Sequence, residues 1–142
     1  MAALSAERNT VRRTGDRLSR PMEAGAKCWA GGVICLNAAG NAVPGATSTT
    51  LKVDGVCRKT VDNTLGIAGA LTVESVPGVY RFDNSANADL ITAGMVGTNC
   101  YLVDDHTVAA TSGSNTRVVA GLIADLDATG VWVRIGQAPF PL

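Results

Sequence analysis

Between residues 26 and 136 short apolar runs alternate with clusters of Gly, Pro, Asn, Asp and Ser, and a turn signal arrives about every ten residues. That spacing belongs to an all-β sandwich or barrel. No stretch sustains the 3.6-residue period of an amphipathic helix. The run 27–36 reads as one strand, or as two with a bend at Gly31-Gly32. Residues 51–53 and 56–61 flank Asp54-Gly55, a strong hairpin dipeptide, so they read as a hairpin. Residues 71–76 and 79–82 alternate apolar with polar around Pro77-Gly78 and read as a second hairpin. Residues 89–94 fit one helical turn or a short strand, 100–103 a strand, and 107–111 its neighbour. The apolar run 117–127 is long enough for a helix. Its β-branched residues and central Gly121 favour a strand with a bend or bulge at the glycine. Asp127-Ala128-Thr129-Gly130 is turn chemistry. After it Val131, Val133 and Ile135 point to one side, and Trp132 and Arg134 to the other.

The predicted fold is therefore all-β: a compact β-barrel or β-sandwich of short strands with an extended N-terminal arm. Residues 1–23 form the basic arm and residues 24–142 a single β domain, whose tail carries Pro139 and Pro141. Composition agrees. Hydrophobic residues make up 46% of the 142, so a core is expected, while aromatics are only 4%. The apolar content is thus mostly small and β-branched, which suits strands. A net charge of zero argues against a dedicated nucleic-acid binder. The charge is nevertheless uneven. Residues 1–27 carry six bases against three acids, and the rest six against nine. Arg8, Arg12, Arg13, Arg17 and Arg20 mark the arm as a strap for a protein surface, because the guanidinium fork suits carboxylates and an arm that orders on binding covers a large surface.

Cys28, Cys35, Cys57 and Cys100 could pair in three ways, but three of them lie in apolar runs, as core thiols do. No CxxC pair offers a zinc site. No run is long enough for a transmembrane helix, and no apolar segment follows the N-terminal bases as in a secretory signal, so no membrane partner is expected.

The search for chemistry yields little. His106 is the single histidine. It follows Asp104 and Asp105, which could orient it, but no nucleophile lies near it in sequence. Asp125, Asp127 and Thr129 alternate like the start of a calcium loop, without the terminal Glu that such a loop needs. Ser112-Gly113-Ser114 lacks the nucleophile-elbow pattern. Gly66-Ile67-Ala68-Gly69 lacks the Lys-Ser or Lys-Thr that follows a phosphate loop. Cys57, beside Arg58 and Lys59, is the one thiol with basic sequence neighbours. No catalytic residue, metal site or cofactor is expected. Trp29, Trp132 and Arg134 are the candidates for a subunit interface, since aromatics and Arg are enriched there.

Two stretches carry a resemblance. Gly94-Met95-Val96-Gly97-Thr98-Asn99-Cys100-Tyr101-Leu102-Val103-Asp104-Asp105-His106-Thr107-Val108-Ala109 resembles small head proteins of tailed bacteriophages, and so does residues 119–133. These are the minor capsid, cement or decoration proteins. The resemblance spans roughly residues 24–136, by pattern more than by a diagnostic motif. It implies a compact β fold and homotrimers seated on the capsid exterior at local three-fold positions. The partner would be the major capsid protein, and the chain would be made in the bacterial cytoplasm. It carries over no catalytic residue. The Arg-rich arm departs from the family pattern. The alternatives are another phage structural component (tail, fibre or head-joining protein) or a sugar- or ligand-binding β-sandwich using Trp29 or Trp132.

Overall fold

A computed structural model describes residues 3, 5–9 and 17–136. Twelve strands follow in chain order: β1 Leu18–Pro21, β2 Lys27–Cys28, β3 Val33–Leu36, β4 Ala42–Pro44, β5 Lys52–Cys57, β6 Val61–Asp62, β7 Thr72–Val76, β8 Gly78–Phe82, β9 Asn99–Leu102, β10 Val108–Ala109, β11 Val119–Asp127 and β12 Gly130–Ile135. They make two five-stranded sheets, β1-β7-β5-β3-β4 and β10-β9-β11-β12-β8, and a small ribbon, β2-β6. Every ladder between named strands is antiparallel. The all-β, sandwich-like architecture expected from the turn spacing is what forms. Residues 89–94 add only short 3-10 turns, Asn87–Asp89 and Ala93–Met95.

The first sheet is covered on both faces, which explains why all four residues of β3 are buried. Val33 and Cys35 face the second sheet and join the main core with Phe82, Leu102, Ile123, Val131 and Val133. Ile34 and Leu36 face the other way, into a second core with Met22, Cys28, Ala42, Cys57 and Val73. Ala26 and Val61, beside or within the small ribbon, pack against that second core. A strand buried on both faces reads as a continuous apolar run rather than an alternation.

Three expectations need correction. Asp54-Gly55 is not a turn. Both residues lie inside β5, which pairs with β3 on one side and β7 on the other. The ladder to β3 slips here: Ile34 faces Gly55 and Cys35 faces Val53, leaving Asp54 as the extra residue of a β-bulge. Glycine is required next to it for space. A Cβ on Gly55 would run into Ser75 Oγ and come within 3.0 Å of the Val76 nitrogen. The pair Leu71–Val76 and Val79–Phe82 is not a hairpin either. β7 belongs to the first sheet and β8 to the second, so Pro77 is the corner where the chain changes sheets.

The third correction concerns the arm. Leu18–Pro21, assigned to it on sequence, is an edge strand in register with β7, from Leu18 opposite Ser75 to Pro21 opposite Thr72. Pro21 is tolerated because an edge strand need not donate on both sides. The next residue, Met22, is fully buried in the second core. The body therefore includes residues 18–23. Arg12 and Arg13 lie outside the described residues, and Arg8 is exposed.

The last third of the chain forms as its pattern predicts. β11 slips against β9 between Val119 and Gly121, the bulge expected at the glycine. A Cβ on Gly121 would collide with the Arg134 carbonyl. In β12, Val131, Val133 and Ile135 are buried and Arg134 is exposed. Isolated bridges draw sheet edges together, Met22 with Ala42 in the first sheet and Asp83 with Thr107 in the second.

Candidate functional site

The second sheet leaves its outer face open, and two of the sequence-predicted interface residues meet there. Trp132 stands opposite Arg81 in the β12–β8 ladder, and Arg134 opposite Val79. The indole is fixed rather than free. Its Nε1 donates to Asp127 Oδ2 at 2.8 Å, and the Arg81 guanidinium carbon lies 5.8 Å from the ring centre. Asp127 also closes the β11–β12 turn by accepting from Thr129 N at 2.8 Å, Thr129 Oγ1 at 2.6 Å and Gly130 N at 3.1 Å. The Thr129 hydroxyl, then the Trp132 indole, hold its carboxyl far below the usual carboxylate range. A carboxylate so occupied is a turn clasp, not the first ligand of a calcium loop. Trp29 sits elsewhere, just after β2. It is 57% exposed with Lys27 Nζ 3.8 Å from its ring centre.

The arm arginines divide. Arg20, on β1, grips Asp54 through Nε at 2.9 Å and Nη2 at 2.8 Å, and this bidentate bond raises its pKa. The Asp54 side chain is wholly buried, so Arg20 serves the fold. Arg17 is 3.3 Å from Glu74 Oε1, an ion pair without hydrogen-bond geometry.

His106 lies on an exposed turn. Its Nδ1 is 2.8 Å from Asp105 Oδ1 and 3.1 Å from Asp104 Oδ1. The hydrogen bond to Asp105 and then the charge of Asp104 raise its pKa, and Asp83 adds to this. Asp104, Asp105 and His106 bring their ligand atoms within 4.8 Å of one another. A raised pKa makes the ring a stronger base once neutral but leaves less of it neutral at a given pH, and both proton abstraction and metal ligation use the neutral imidazole. Arg117 forks onto Asp89 at 3.1 and 3.3 Å and ties the 111–117 loop to the turn at Asn87–Asp89.

All four cysteines are free and buried. Burial pushes the thiols of Cys28, Cys35 and Cys100 up to about 12 and raises that of Cys57. Cys57 Sγ donates to the Lys59 carbonyl at 3.2 Å, so the basic neighbours seen in sequence do not make it a thiolate.

Sequence reasoning missed one surface. Between β6 and β7 the loop 63–71 projects Leu65, fully exposed, and Ile67, 78% exposed, with Leu71 partly exposed behind them. Its only sequence signal is that residues 63–71 contain no charge. A second apolar feature is an open cleft of about 420 Å³ beside β8, lined by Val56, Val76, Tyr80 and Phe82 together with Arg58 and Arg81. Among the described residues no helix is long and apolar enough to cross a membrane. Comparison of the chain with known protein families, with curated proteins and with solved structures returns no match.

Proposed function

We propose that this chain is a non-catalytic structural component of a tailed-phage virion: a decoration or cement protein that seats on the capsid exterior as a homotrimer and stabilises contacts between capsomers. The observation that carries the reading is the open outer face of the second sheet, where Trp132, Arg81, Arg134 and Val79 lie side by side. Aromatic and Arg side chains are the usual anchors of protein interfaces. Here the turn clasp at Asp127 holds the Trp in place before any partner arrives, which lowers the ordering cost of binding. The two stretches that resemble phage head proteins cover β9, β10 and β11 and most of β12, all strands of this sheet. On a shell that repeats one site many times, modest contacts gain by avidity once protomers associate.

The experiment is co-sedimentation of the purified chain with capsids that lack it. Arg134→Glu should weaken binding with the fold intact, because Arg134 is exposed on the outer face of β12. Unchanged binding by Arg134→Glu and by Trp132→Ala would remove this face from the reading. The strap is tested separately by deleting residues 1–16, which stops short of β1. Weaker capsid binding is expected, and binding equal to the full chain would show that Arg8, Arg12 and Arg13 hold nothing.

A further inference from the structure

We propose that residues 137–142 of one copy of this chain add as a strand to the free edge of β8 in a second copy. The proposal deepens the homotrimer part of the reading above and rests on it for self-association alone. Its test uses the purified chain without capsid, so a trimer held together in another way would leave the homotrimer standing while this contact fails.

β8 is an end strand of the second sheet and pairs on one side, with β12. Which of its groups face outward follows from the ladders across the sheet. Ile123 N donates to the Thr98 carbonyl at 2.8 Å, and Gly97 N donates to the Ile123 carbonyl at 2.9 Å. Ile123 thus turns its main-chain groups away from Val133, its neighbour on β12. Val133 then turns its own toward Tyr80, and alternation along β8 leaves those of Val79 and Arg81 on the outer edge. Asp83, next in that series, points the same way. Its N donates to the His106 carbonyl at 2.9 Å, and its carbonyl accepts from Val108 N at 3.0 Å. Among the described residues, Val79 and Arg81 have no main-chain partner on that side. The other edges of the two large sheets are shorter and two of them carry a proline: β1 ends on Pro21, β4 on Pro44, and β10 has two residues. An open edge of this kind is a template for another strand.

The sequence of residues 137–142, Gln-Ala-Pro-Phe-Pro-Leu, lies outside the described residues and suits that edge. In a strand, alternate residues present their N–H to alternate edges. Pro139 and Pro141 fall two apart, so the donors they lack belong to one edge. The other edge keeps those of Ala138, Phe140 and Leu142. Such a segment can pair on one side and not on the other, as an edge strand does. Residues paired across a ladder share a face of the sheet. Those that bond to Val79 and Arg81 therefore point outward with them, toward Trp132. The two prolines then point inward with Tyr80 and Phe82, over the apolar cleft that Val56 and Val76 also line. The segment brings no charged side chain to bury there.

The contact is between copies. Ile135 lies opposite Gly78, so the segment leaves β12 on the paired side of β8. The position beyond the free edge is two strand spacings away, about 10 Å. A segment that crossed the end of β8 within its own chain and then paired would run parallel to it, and a parallel pair needs a crossover of about a dozen residues or more. Residues 137–142 are too few for that. Coming from a second copy, they span about 20 Å at ~3.3 Å per residue, enough to cover the five residues of β8. Two different patches that complement each other make a heterologous contact, which closes into a ring when the rotation allows.

Light scattering and amide hydrogen exchange on the purified chain test this. The full chain is expected to self-associate at sub-millimolar concentration, with the amides of Val79 and Arg81 protected. Deleting residues 137–142 should leave a monomer in which those two amides exchange about tenfold faster or more, while the Tyr80 amide, turned toward β12, stays protected and reports an intact sheet. Two substitutions separate strand pairing from apolar contact. Phe140→Ala and Phe140→Pro both lose the ring, and only the proline loses the donor, so Phe140→Pro should weaken association about tenfold more. A monomeric full chain overturns the proposal. So does association that the deletion leaves unchanged, protection of Val79 and Arg81 that persists in the deleted chain, or an equal effect of the two Phe140 variants.

Discussion

The central strands of the first sheet have no free face, and the second sheet has one. In the first, β3 and the stretch 53–57 of β5 are buried throughout, with a core on either side. In the second, β8, β9 and β12 alternate between core and solvent. The difference assigns the two sheets different work. The doubly covered centre of the first sheet supplies stability, and changes to β3 or to residues 53–57 of β5 fall on packed or ion-paired groups. The singly covered sheet can change its outer residues at little cost to the fold, so the surface available for partners lies there.

The sharpest way to break this contrast is at β1. Arg20→Ala leaves the carboxylate of Asp54 buried without the guanidinium that grips it, and should cost about 3–5 kcal/mol in urea unfolding. A loss below about 1 kcal/mol, the range of a surface ion pair, would mean that residues 18–21 are an arm after all. Ile34 faces the second core, so Ile34→Ala should cost about 2–5 kcal/mol, the same range as Ile123→Ala in the main core. If only Ile123→Ala is costly, the second face of the first sheet is not a core. On the open face, Arg134→Ala should change stability by no more than about 0.5 kcal/mol.

The smallest effect belongs to His106. Its pKa is raised in the folded state by Asp105 and then Asp104. The stabilisation is therefore fully present below the unfolded value of about 6.5 and fades as pH rises through the higher folded value. The ring is exposed, so the change in stability should be slight and screened by salt. The titration itself is easily read by NMR, because the chain has one histidine. Asp105→Asn should move its midpoint down, and an unmoved midpoint would remove Asp105 as the main cause.

The same contrast decides what could be read from sequence. β12 was legible because period-2 alternation appears wherever one face is wet, and Trp132 and Arg134 were correctly placed on a shared face. The bulge at Gly121 was legible from a glycine inside an apolar run. The first sheet hid its structure, because strands buried on both faces do not alternate. Asp54-Gly55 carries the chemistry of a turn, yet a bulge and a crowded Ser75 put the same two residues in a strand. The partner that satisfies Asp54 lies 34 residues away, so no local pattern could give it. β1 looked like an arm because an exposed edge strand with Arg and Pro resembles one. Leu65 and Ile67 were missed because hydrophobicity marks a residue as apolar without saying which side of the chain the water is on.

The central claim is that this chain is a stoichiometric part of a particle rather than a catalyst. Quantitative mass spectrometry of virions purified from a strain that encodes this chain tests that proposal most directly. The account predicts copies in proportion to capsomers, held on the outside and accessible to surface labelling of intact particles. A chain absent from mature particles, or present in only a few copies, would contradict it.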